Sequence, residues 1–354
     1  MTAFPDPTFW NGKRVLLTGH SGFKGAWFAF WLSRLGAKVT GVSLPPAAEP
    51  NLFSLLRLEE LVDSRWVDVR DLPEVGAVLR EAAPEVVFHL AAQSLVRPGY
   101  RDPETTFTTN FNGTLSVLEN ARHSHGAKSV VIVTTDKVYR NDDSGRPFRE
   151  DHALGGRDPY SASKAAAETL ISCYRNAFYQ PAGIGLAAAR AGNVIGGGDW
   201  SEDRILPDAV RAWGTGVTLE IRNLEATRPW QHVLEPLCGY LQLAEKLFHD
   251  PAASSDFNFG PDPGDIATVR DVVEIARDAF SRGEVAPGNK RDALHEAKAL
   301  ALDNSKAKGI LGISPVWNLQ TAVERTMRWY RNQLEGKDAR LLCEQDIEAF
   351  LSAA

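Results

Sequence analysis

Over the first half of the chain, hydrophobic and polar positions follow two alternating patterns. Short, continuous apolar or β-branched runs occupy Arg14–Thr18, Lys38–Val42, Glu85–Ala91 and Ser129–Thr134. Continuous rather than alternating hydrophobicity marks a parallel strand covered on both faces. Longer stretches with helical spacing stand between them: Phe23–Leu35, Leu72–Ala82, Asp102–His123 and Asp158–Phe178. The last two open with Asp-Pro, an N-cap followed by a residue suited to the first turn. Strand–helix alternation with short connections predicts an α/β fold built on a doubly wound parallel sheet.

The pattern loosens after Arg190. Residues 192–228 are rich in Gly, Trp and charge and read as a loop-rich insertion with one helix near Leu206–Trp213. Val233–Phe248 is helical again, Asp256–Gly260 reads as a short strand, and Val269–Ser281 and Leu319–Gln333 are further helices. The expected organisation is a larger sheet domain from residues 1–190 and 229–260. Residues 191–228 and 261–354 would form a smaller, mixed α/β second domain.

Composition narrows the class. The chain has 354 residues, 44% hydrophobic and 24% charged, close to globular averages and unlike a disordered, coiled-coil or fibrous chain. A net charge of −6 argues against a nucleic-acid partner, which needs a basic face, yet allows a local basic pocket. The cysteines Cys173, Cys238 and Cys343 lie far apart with no CxxC pair, which fits a reducing compartment better than a disulfide framework or zinc site. No apolar run reaches the ~18–20 residues of a membrane span, and the opening residues lack a signal-peptide pattern. A cytoplasmic protein with no membrane partner is expected. His123-x-His125 stands at a helix end beside Gly126, where a histidine suits the helix C-terminus, so no metal site is expected.

The first predicted strand ends in Thr18-Gly19-His20-Ser21-Gly22-Phe23-Lys24-Gly25. Glycines at this spacing, between strand and helix, permit a tight turn, close approach of bare backbone to a pyrophosphate, and close helix–strand packing. The helix N-terminus adds free N–H donors and partial positive charge. This is the fingerprint of a Rossmann-type dinucleotide site. An acidic residue usually closes the second strand and binds the adenosine ribose. Here Val42-Ser43-Leu44-Pro45-Pro46 supplies none, and the first acid is Glu49. Asp68, in Val67-Asp68-Val69, is a candidate acceptor for the adenine amino group.

Tyr160 and Lys164 are one helical turn apart and share a face. A free tyrosine, with a pKa near ~10, is a poor base at neutral pH. An adjacent ammonium would lower that value, so the pair can take a proton from a hydroxyl while hydride leaves the same carbon. Lys164 can also hold the nicotinamide ribose.

With these motifs the chain resembles the extended short-chain dehydrogenase/reductase family. The resemblance rests on TGHSGFKG, Asp68, FHLAAQ (Phe88–Gln93), Asn110 in TNFNGT, TTDKVY (Thr134–Tyr139) and YSASK. RAGNVIGGGDW (Arg190–Trp200), RPWQHVLEPLCGYL (Arg228–Leu241) and LDNSKAKGILGISPVW (Leu302–Trp317) make it more specifically similar to the sugar-nucleotide 4,6-dehydratases acting on CDP-glucose. The resemblance implies NAD as cofactor, a CDP-hexose as substrate, and a homodimer joined through the Asp102–His123 and Asp158–Phe178 helices, with larger assemblies open. The implied cofactor contacts are Gly19, His20, Gly22, Phe23, Lys24, Gly25, Asp68, Val69, Leu90, Ala91, Ala92, Gln93, Asn110, Thr134, Tyr160 and Lys164.

The implied reaction oxidises sugar carbon 4, removes water across carbons 5 and 6, and returns the hydride to carbon 6. Thr135 would bind the carbon 4 oxygen, Tyr160 would be the base for oxidation, and Asp136 would protonate the departing hydroxyl. Related dehydratases carry Thr-Asp-Glu, whose glutamate can take the carbon 5 proton. This chain has Lys137 there, neutral if burial lowers its pKa or else stabilising an enolate, so the base stays unassigned. Arg228 is the leading diphosphate ligand, through paired N–H donors. Asn193, Arg204, Arg222 and His232 are further substrate candidates, and Trp200, Trp213 or Trp230 would face the cytosine. A sugar-nucleotide epimerase is the alternative enzyme and a non-catalytic dinucleotide sensor the alternative class. The adjacent Asp136-Lys137 pair favours dehydration, and the presence of both Tyr160 and Lys164 counts against a sensor.

Overall fold

The computed structural model describes residues 3–262, 265–288 and 299–353. Its centre is a seven-stranded, wholly parallel sheet. The strands are β1 (Arg14–Thr18), β2 (Lys38–Ser43), β3 (Asp63–Trp66), β4 (Val86–His89), β5 (Ser129–Val133), β6 (Gly185–Ala191) and an edge strand, Asp256–Phe259. From one edge the order is Asp256–Phe259, β6, β5, β4, β1, β2, β3. The connection direction therefore reverses between β1 and β4, and ligands of such sheets bind outside the carboxyl ends of the strands at that point.

The predicted strands are present, each within two residues at either end. Two strands are additional. Asp63–Trp66 is a polar edge strand whose residues are all at least partly exposed, so it carries no apolar run. Gly185–Ala191 is wholly buried but is mostly Ala and Gly, with little β-branched signal. The stretch predicted as one helix from Asp102 is interrupted: helices Pro103–Phe107 and Gly113–Arg122 flank a π-turn at Thr108–Asn112. Threonine hydroxyls back-bond to the carbonyls four residues earlier on both sides of it, Thr106 to Asp102 (2.8 Å) and Thr114 to Asn110 (2.7 Å). Such back-bonds bend helices. The helix Pro159–Tyr174 likewise passes into a π-turn at Arg175–Tyr179. The chain ends in a helix the periodicity did not suggest, Ala339–Leu351.

Each sheet face has its own apolar core. One contains Leu16, Val42, Val117, Val130, Ile132 and Leu186. The other runs from Trp27, Phe28 and Trp31 on the first long helix (Phe23–Arg34) through Tyr240 and Phe259 to Trp213, Val272, Trp329 and Phe350. The residues after Ala191 thus share a continuous apolar cluster with the sheet. They add short strand pairs: Val194–Ile195 with Gln231–His232, Thr227–Arg228 with Ala267–Thr268, and Leu219–Ile221 with Val285–Pro287. These overhang the carboxyl ends of the sheet and close one side of a cleft. No helix among the described residues is long and apolar enough to cross a membrane.

Candidate active site

A cleft of about 760 Å³ runs along the carboxyl ends of the strands. At its floor the β1 strand ends on Thr18, whose hydroxyl accepts from the Leu90 and Ala91 N–H groups (3.1 Å each) and so ties β1 to β4. Gly19 turns with φ +79°, and a Cβ there would stand 2.7 Å from the Ala91 nitrogen. A Cβ on Gly25 would stand 1.9 Å from the Gly19 carbonyl oxygen, so the helix can sit this close to the turn only without a side chain. Gly22 starts the helix Phe23–Arg34 with no side-chain cap, which leaves first-turn N–H groups for an anion. This bare cradle fits a pyrophosphate.

At one end of the cleft Ser43 closes β2. Its Oγ is 2.6 Å from Ser21 Oγ, which donates to the Leu44 carbonyl (2.8 Å). Asp68 and Val69 line the same end. Arg70 grips the Asp68 carboxylate (2.6 Å) and holds it below the usual carboxylate range.

At the centre, Thr135 caps a short turn, Asp136–Val138, that follows β5. Its hydroxyl donates to Asp136 Oδ1 (2.9 Å). Asp136 is 1% exposed, and its Oδ2 has no partner among the described residues. Lys137 Nζ stands 3.7 Å from Asp136 Oδ1. Thr134, Thr135, Lys137, Tyr160 and Lys164 line the cleft together. Tyr160 and Lys164 lie on the helix Pro159–Tyr174, whose Asp158 cap accepts from the Ser161 N–H (3.0 Å).

The expected electrostatics of the Tyr160–Lys164 pair are corrected. Burial pushes Tyr160 up to about 12; the Thr135 hydroxyl and the Arg204 charge are the leading influences pulling it back. Lys164 spends its ammonium on the Val133 carbonyl (3.1 Å), and burial lowers it to about 8 against the opposing pull of Glu168. Lys24 reaches in from the glycine turn toward the Tyr240 hydroxyl (3.4 Å). Burial, then the Arg204 and Lys164 charges, bring it to about 7.

Behind Thr134 lies a buried polar network that sequence reasoning missed. Thr134 Oγ1 donates to Glu168 Oε1 (2.5 Å), and Arg190 holds both Glu168 oxygens (2.9 Å each). Arg190 also donates to the Tyr139 hydroxyl (2.8 Å) and to Asp256 (3.1 Å), which pairs with Arg175 as well. Tyr139 in turn donates to Asn258 Oδ1 (2.7 Å). Glu168 stands one turn beyond Lys164, so its spacing was the available signal; its partners lie elsewhere in the sequence.

Toward the other end, Arg228 is nearly buried, with Nη1 donating to its neighbour's carbonyl at Thr227 (2.8 Å). Asn193, Arg204 and Arg222 also line the cleft, and the Asn193 Oδ1 is buried without a partner among the described residues. Of the candidate tryptophans, Trp230 faces the cleft, whereas Trp213 is core and Trp200 packs edge-on against Tyr330. Arg97 and Asp203, not anticipated, face each other across it at 3.6 Å.

Four candidates turn elsewhere. His20 packs under β2 against Gly41, stacks on Trp66 at 5.4 Å, and is lowered to about 4 by burial. His232 is fully buried between Trp27 and Trp317 and lowered by burial to about 3. Their polar ring type suggested a ligand, but desolvation keeps both neutral in the core. Gln93 and Asn110 bond to each other's segments: Asn110 Oδ1 accepts from the Gln93 N–H (2.9 Å), and its amide donates to the Gln93 carbonyl (3.0 Å) and Ser163 Oγ (2.9 Å). The π-turn thereby presents Asn110 to the helix that carries Tyr160. These two residues position the site rather than line it. Leu90, Ala91 and Ala92 do line it, beside the glycine turn.

The same architecture recurs in known proteins. A UDP-glucose 4-epimerase from Stenotrophomonas maltophila, solved with NAD and a formylated UDP-arabinopyranose, superposes with a TM-score of 0.80 at 20% identity, covering 92% of this chain and all of the other (100%). The Thermus thermophilus UDP-glucose 4-epimerase in complex with NAD gives 0.76 at 25% identity, over 90% of this chain and 99% of that one. In sequence, the CDP-glucose 4,6-dehydratase of Salmonella typhimurium is 42% identical over 98% of this chain and 99% of its own length. The family model described as GDP-mannose 4,6 dehydratase matches residues 16–326, a span that starts within β1 and takes in the glycine turn, the Thr135–Lys137 turn, Tyr160 and Arg228. With the family model matching residues 16–326 and 42% identity to a curated dehydratase over nearly the whole chain, the chain belongs to the GDP-mannose 4,6 dehydratase family, a branch of the extended short-chain dehydrogenases/reductases.

Proposed function

We propose that this chain carries out the NAD-dependent, redox-neutral dehydration of CDP-glucose to CDP-4-keto-6-deoxyglucose. The observation that carries the reading is the turn after β5. There Asp136, buried with one unpartnered carboxylate oxygen and not itself lining the cleft, lies between Thr135 and Lys137, which with Tyr160 do line it; the same cleft begins in a pyrophosphate cradle. An epimerase has no hydroxyl to expel and no use for such an acid; a 4,6-dehydratase must protonate one. The 42% identity to a CDP-glucose 4,6-dehydratase supports the choice of substrate.

The glycine turn, Asp68, Val69 and Lys164 would hold NAD, which would supply the acceptor for the carbon 4 hydride and the donor for its return to carbon 6. Thr135 binds the carbon 4 oxygen, and Tyr160 takes the hydroxyl proton during oxidation. The resting phenol sits near 12, so the positive charge beside it, Arg204 above all, is what favours the phenolate when the proton moves. The new ketone acidifies carbon 5, whose proton passes to a base that stays unassigned, since Lys137 as an ammonium cannot accept it. Asp136 gives its proton to the carbon 6 oxygen, which leaves as water. Lys137, facing the cleft at 3.7 Å from Asp136, stabilises the negative charge that develops on the carbon 4 oxygen. Arg228 and Asn193 bind the substrate diphosphate, and Arg204 and Arg222 add to the positive field around it.

The reading divides the chain by task, as expected from sequence: residues 1–190 and 229–260 for the cofactor, 191–228 and 261–354 for the sugar nucleotide. It also takes the protein as a cytoplasmic homo-oligomer. Phe107 and Phe178, both exposed, stand on the two helical segments expected to pair copies.

The test is to incubate the protein with NAD and a panel of CDP-, UDP-, GDP- and dTDP-hexoses and follow the sugars by NMR. Loss of the carbon 6 hydroxyl from CDP-glucose, with no free NADH accumulating, is expected. Preferential turnover of another nucleotide sugar, inversion at carbon 4, or net NADH release would overturn the reading.

A further inference from the structure

Arg97 stands on the short helix Val96–Arg101, which follows β4. That helix is seated against the one carrying Tyr160: a Cβ on Gly99 would stand 3.5 Å from the Tyr160 nitrogen. Across the cleft, Asp203 belongs to the loop leading into the helix Ile205–Gly214. Its Oδ1 is 3.6 Å from Arg97 Nε and 3.5 Å from Arg222 Nη2, and all three residues line the cleft. One carboxylate therefore ties the sheet side of the cleft to the side built after Ala191. Ion pairs this exposed add little to stability, so what the bridge sets is placement.

Arg204 follows directly. It holds the N-cap position of the helix Ile205–Gly214 without a side-chain cap bond, and its guanidinium makes no hydrogen bond or ion pair among the described residues. Its charge nonetheless reaches both Tyr160 and Lys24. The charged and titratable groups around Tyr160 are Asp136 and Lys137 in the turn after β5, Asp158 and Lys164 on its own helix, Tyr240, Lys24 from the glycine turn, and Arg204. Burial raises Tyr160 most; the Thr135 hydroxyl and then Arg204 draw it back, and Asp136 and Asp158 raise it further. The amines of Lys164 and Lys24 are turned to the Val133 carbonyl and the Tyr240 hydroxyl. Arg204 is thus the cation that favours the phenolate, and nothing bonded to its own side chain keeps it in place.

Resting on the reading that Tyr160 takes the carbon 4 hydroxyl proton, we infer that Arg97 and Asp203 are positioning residues for that step: their ion pair across the cleft holds Arg204 toward Tyr160. CDP-6-deoxyglucose, which has no carbon 6 hydroxyl to expel, isolates the oxidation; with NAD and the purified protein, the absorbance of the reduced nicotinamide follows it across pH in a single turnover. Asp203→Asn is the discriminating variant, because asparagine keeps the side-chain shape and tolerates the left-handed backbone there (φ +58°). By its field alone, loss of a carboxylate favours the phenolate and moves the rising limb of the pH profile to lower pH. Loss of the bridge frees Arg204 and moves that limb to higher pH, by roughly half a pH unit or more, which is the expected result. Arg97→Gln is expected to move it the same way by less, since Arg222 still holds Asp203. Arg204→Gln gives the full upward shift, and adding Arg97→Gln to it moves the limb no further. The inference is overturned if Asp203→Asn moves the limb down or not at all, if Arg97→Gln leaves it in place, or if the shifts of Arg97→Gln and Arg204→Gln add. Failure of wild type to reduce NAD with this sugar at any pH would instead remove the oxidation reading, and the inference with it.

Discussion

Two regions meet at the end of β5, and they treat buried polar groups in opposite ways. Behind Thr134, Glu168, Arg190, Asp256, Arg175, Tyr139 and Asn258 are joined into one hydrogen-bonded network. In front, two residues along the chain, Asp136 keeps a buried carboxylate oxygen with no partner among the described residues, and the amines of Lys24 and Lys164 are brought to about 7 and 8 by burial. A satisfied buried network rigidifies; an unsatisfied polar group is costly and persists where something else is gained. The contrast assigns stability to the rear and chemistry to the front. It also shows why burial alone is a poor guide to function here. His232 is as buried as Asp136, with an unpartnered nitrogen, but its neighbours are Trp27 and Trp317 of the core, whereas those of Asp136 are Thr135 and Lys137, which line the cleft.

The sharpest test of the front is Tyr160→Phe. The ring and its packing remain, and the hydroxyl that exchanges a proton is lost. Turnover is expected to fall by roughly 10²–10⁴-fold, the usual scale of a general acid–base group. NAD binding and the melting temperature should stay close to wild type, because the hydroxyl makes no bond to the rear network. A large drop in melting temperature, or near-normal turnover, would erase the distinction between the regions.

The rear is tested by Glu168→Gln, read by denaturant unfolding and by turnover. Gln can still accept from Thr134 but cannot neutralise Arg190. Breaking a buried pair by removing one charge costs about 3–5 kcal/mol. The remaining Asp256 contact at 3.1 Å places the expected loss at the lower end, about 3 kcal/mol. Turnover of the folded fraction should change far less than in Tyr160→Phe. Unchanged stability with turnover lost to the same extent as in Tyr160→Phe would mean that Glu168 belongs to the front.

What could be read from the residues follows this division too. The glycine turn and the Tyr160–Lys164 pair are local: their geometry is set by neighbours within one turn of chain, so spacing alone revealed them. The continuous apolar strands were legible because both faces are buried. Asp63–Trp66 was not, because an edge strand needs no apolar run, and Gly185–Ala191 was not, because close packing there uses small residues. The rear network depends on partners 22 to 119 residues apart, which no spacing rule connects. The Ser21–Ser43 pair spans 22 residues and was visible only as a missing acid. His20 and His232 misled because a polar side chain in a functional-looking motif can be packed inward, and only the fold shows which way it faces.

The smallest effect expected concerns a buried carboxylate that is hydrogen-bonded, like those of the rear, yet lies away from the cleft. Glu235, on the helix Leu234–His249, accepts from the Val316 (3.1 Å) and Trp317 (2.7 Å) N–H groups and so ties the late chain to the core. Burial raises it to about 7, with the two N–H groups opposing. The folded chain therefore holds a proton that the unfolded chain releases near its ordinary value. The resulting stabilisation is complete below about pH 4.5 and is lost as pH rises through about 7. Glu235→Gln keeps an oxygen for both N–H groups and cannot ionise. Relative to wild type it should gain stability as pH rises from 5 to 8, on the order of 2 kcal/mol, with turnover unchanged. Parallel stability curves for the two proteins would show that the ionisation is not carried by Glu235. A loss of turnover would place it in the front region despite its full set of partners, and the rule that satisfied groups serve structure would fail at that residue.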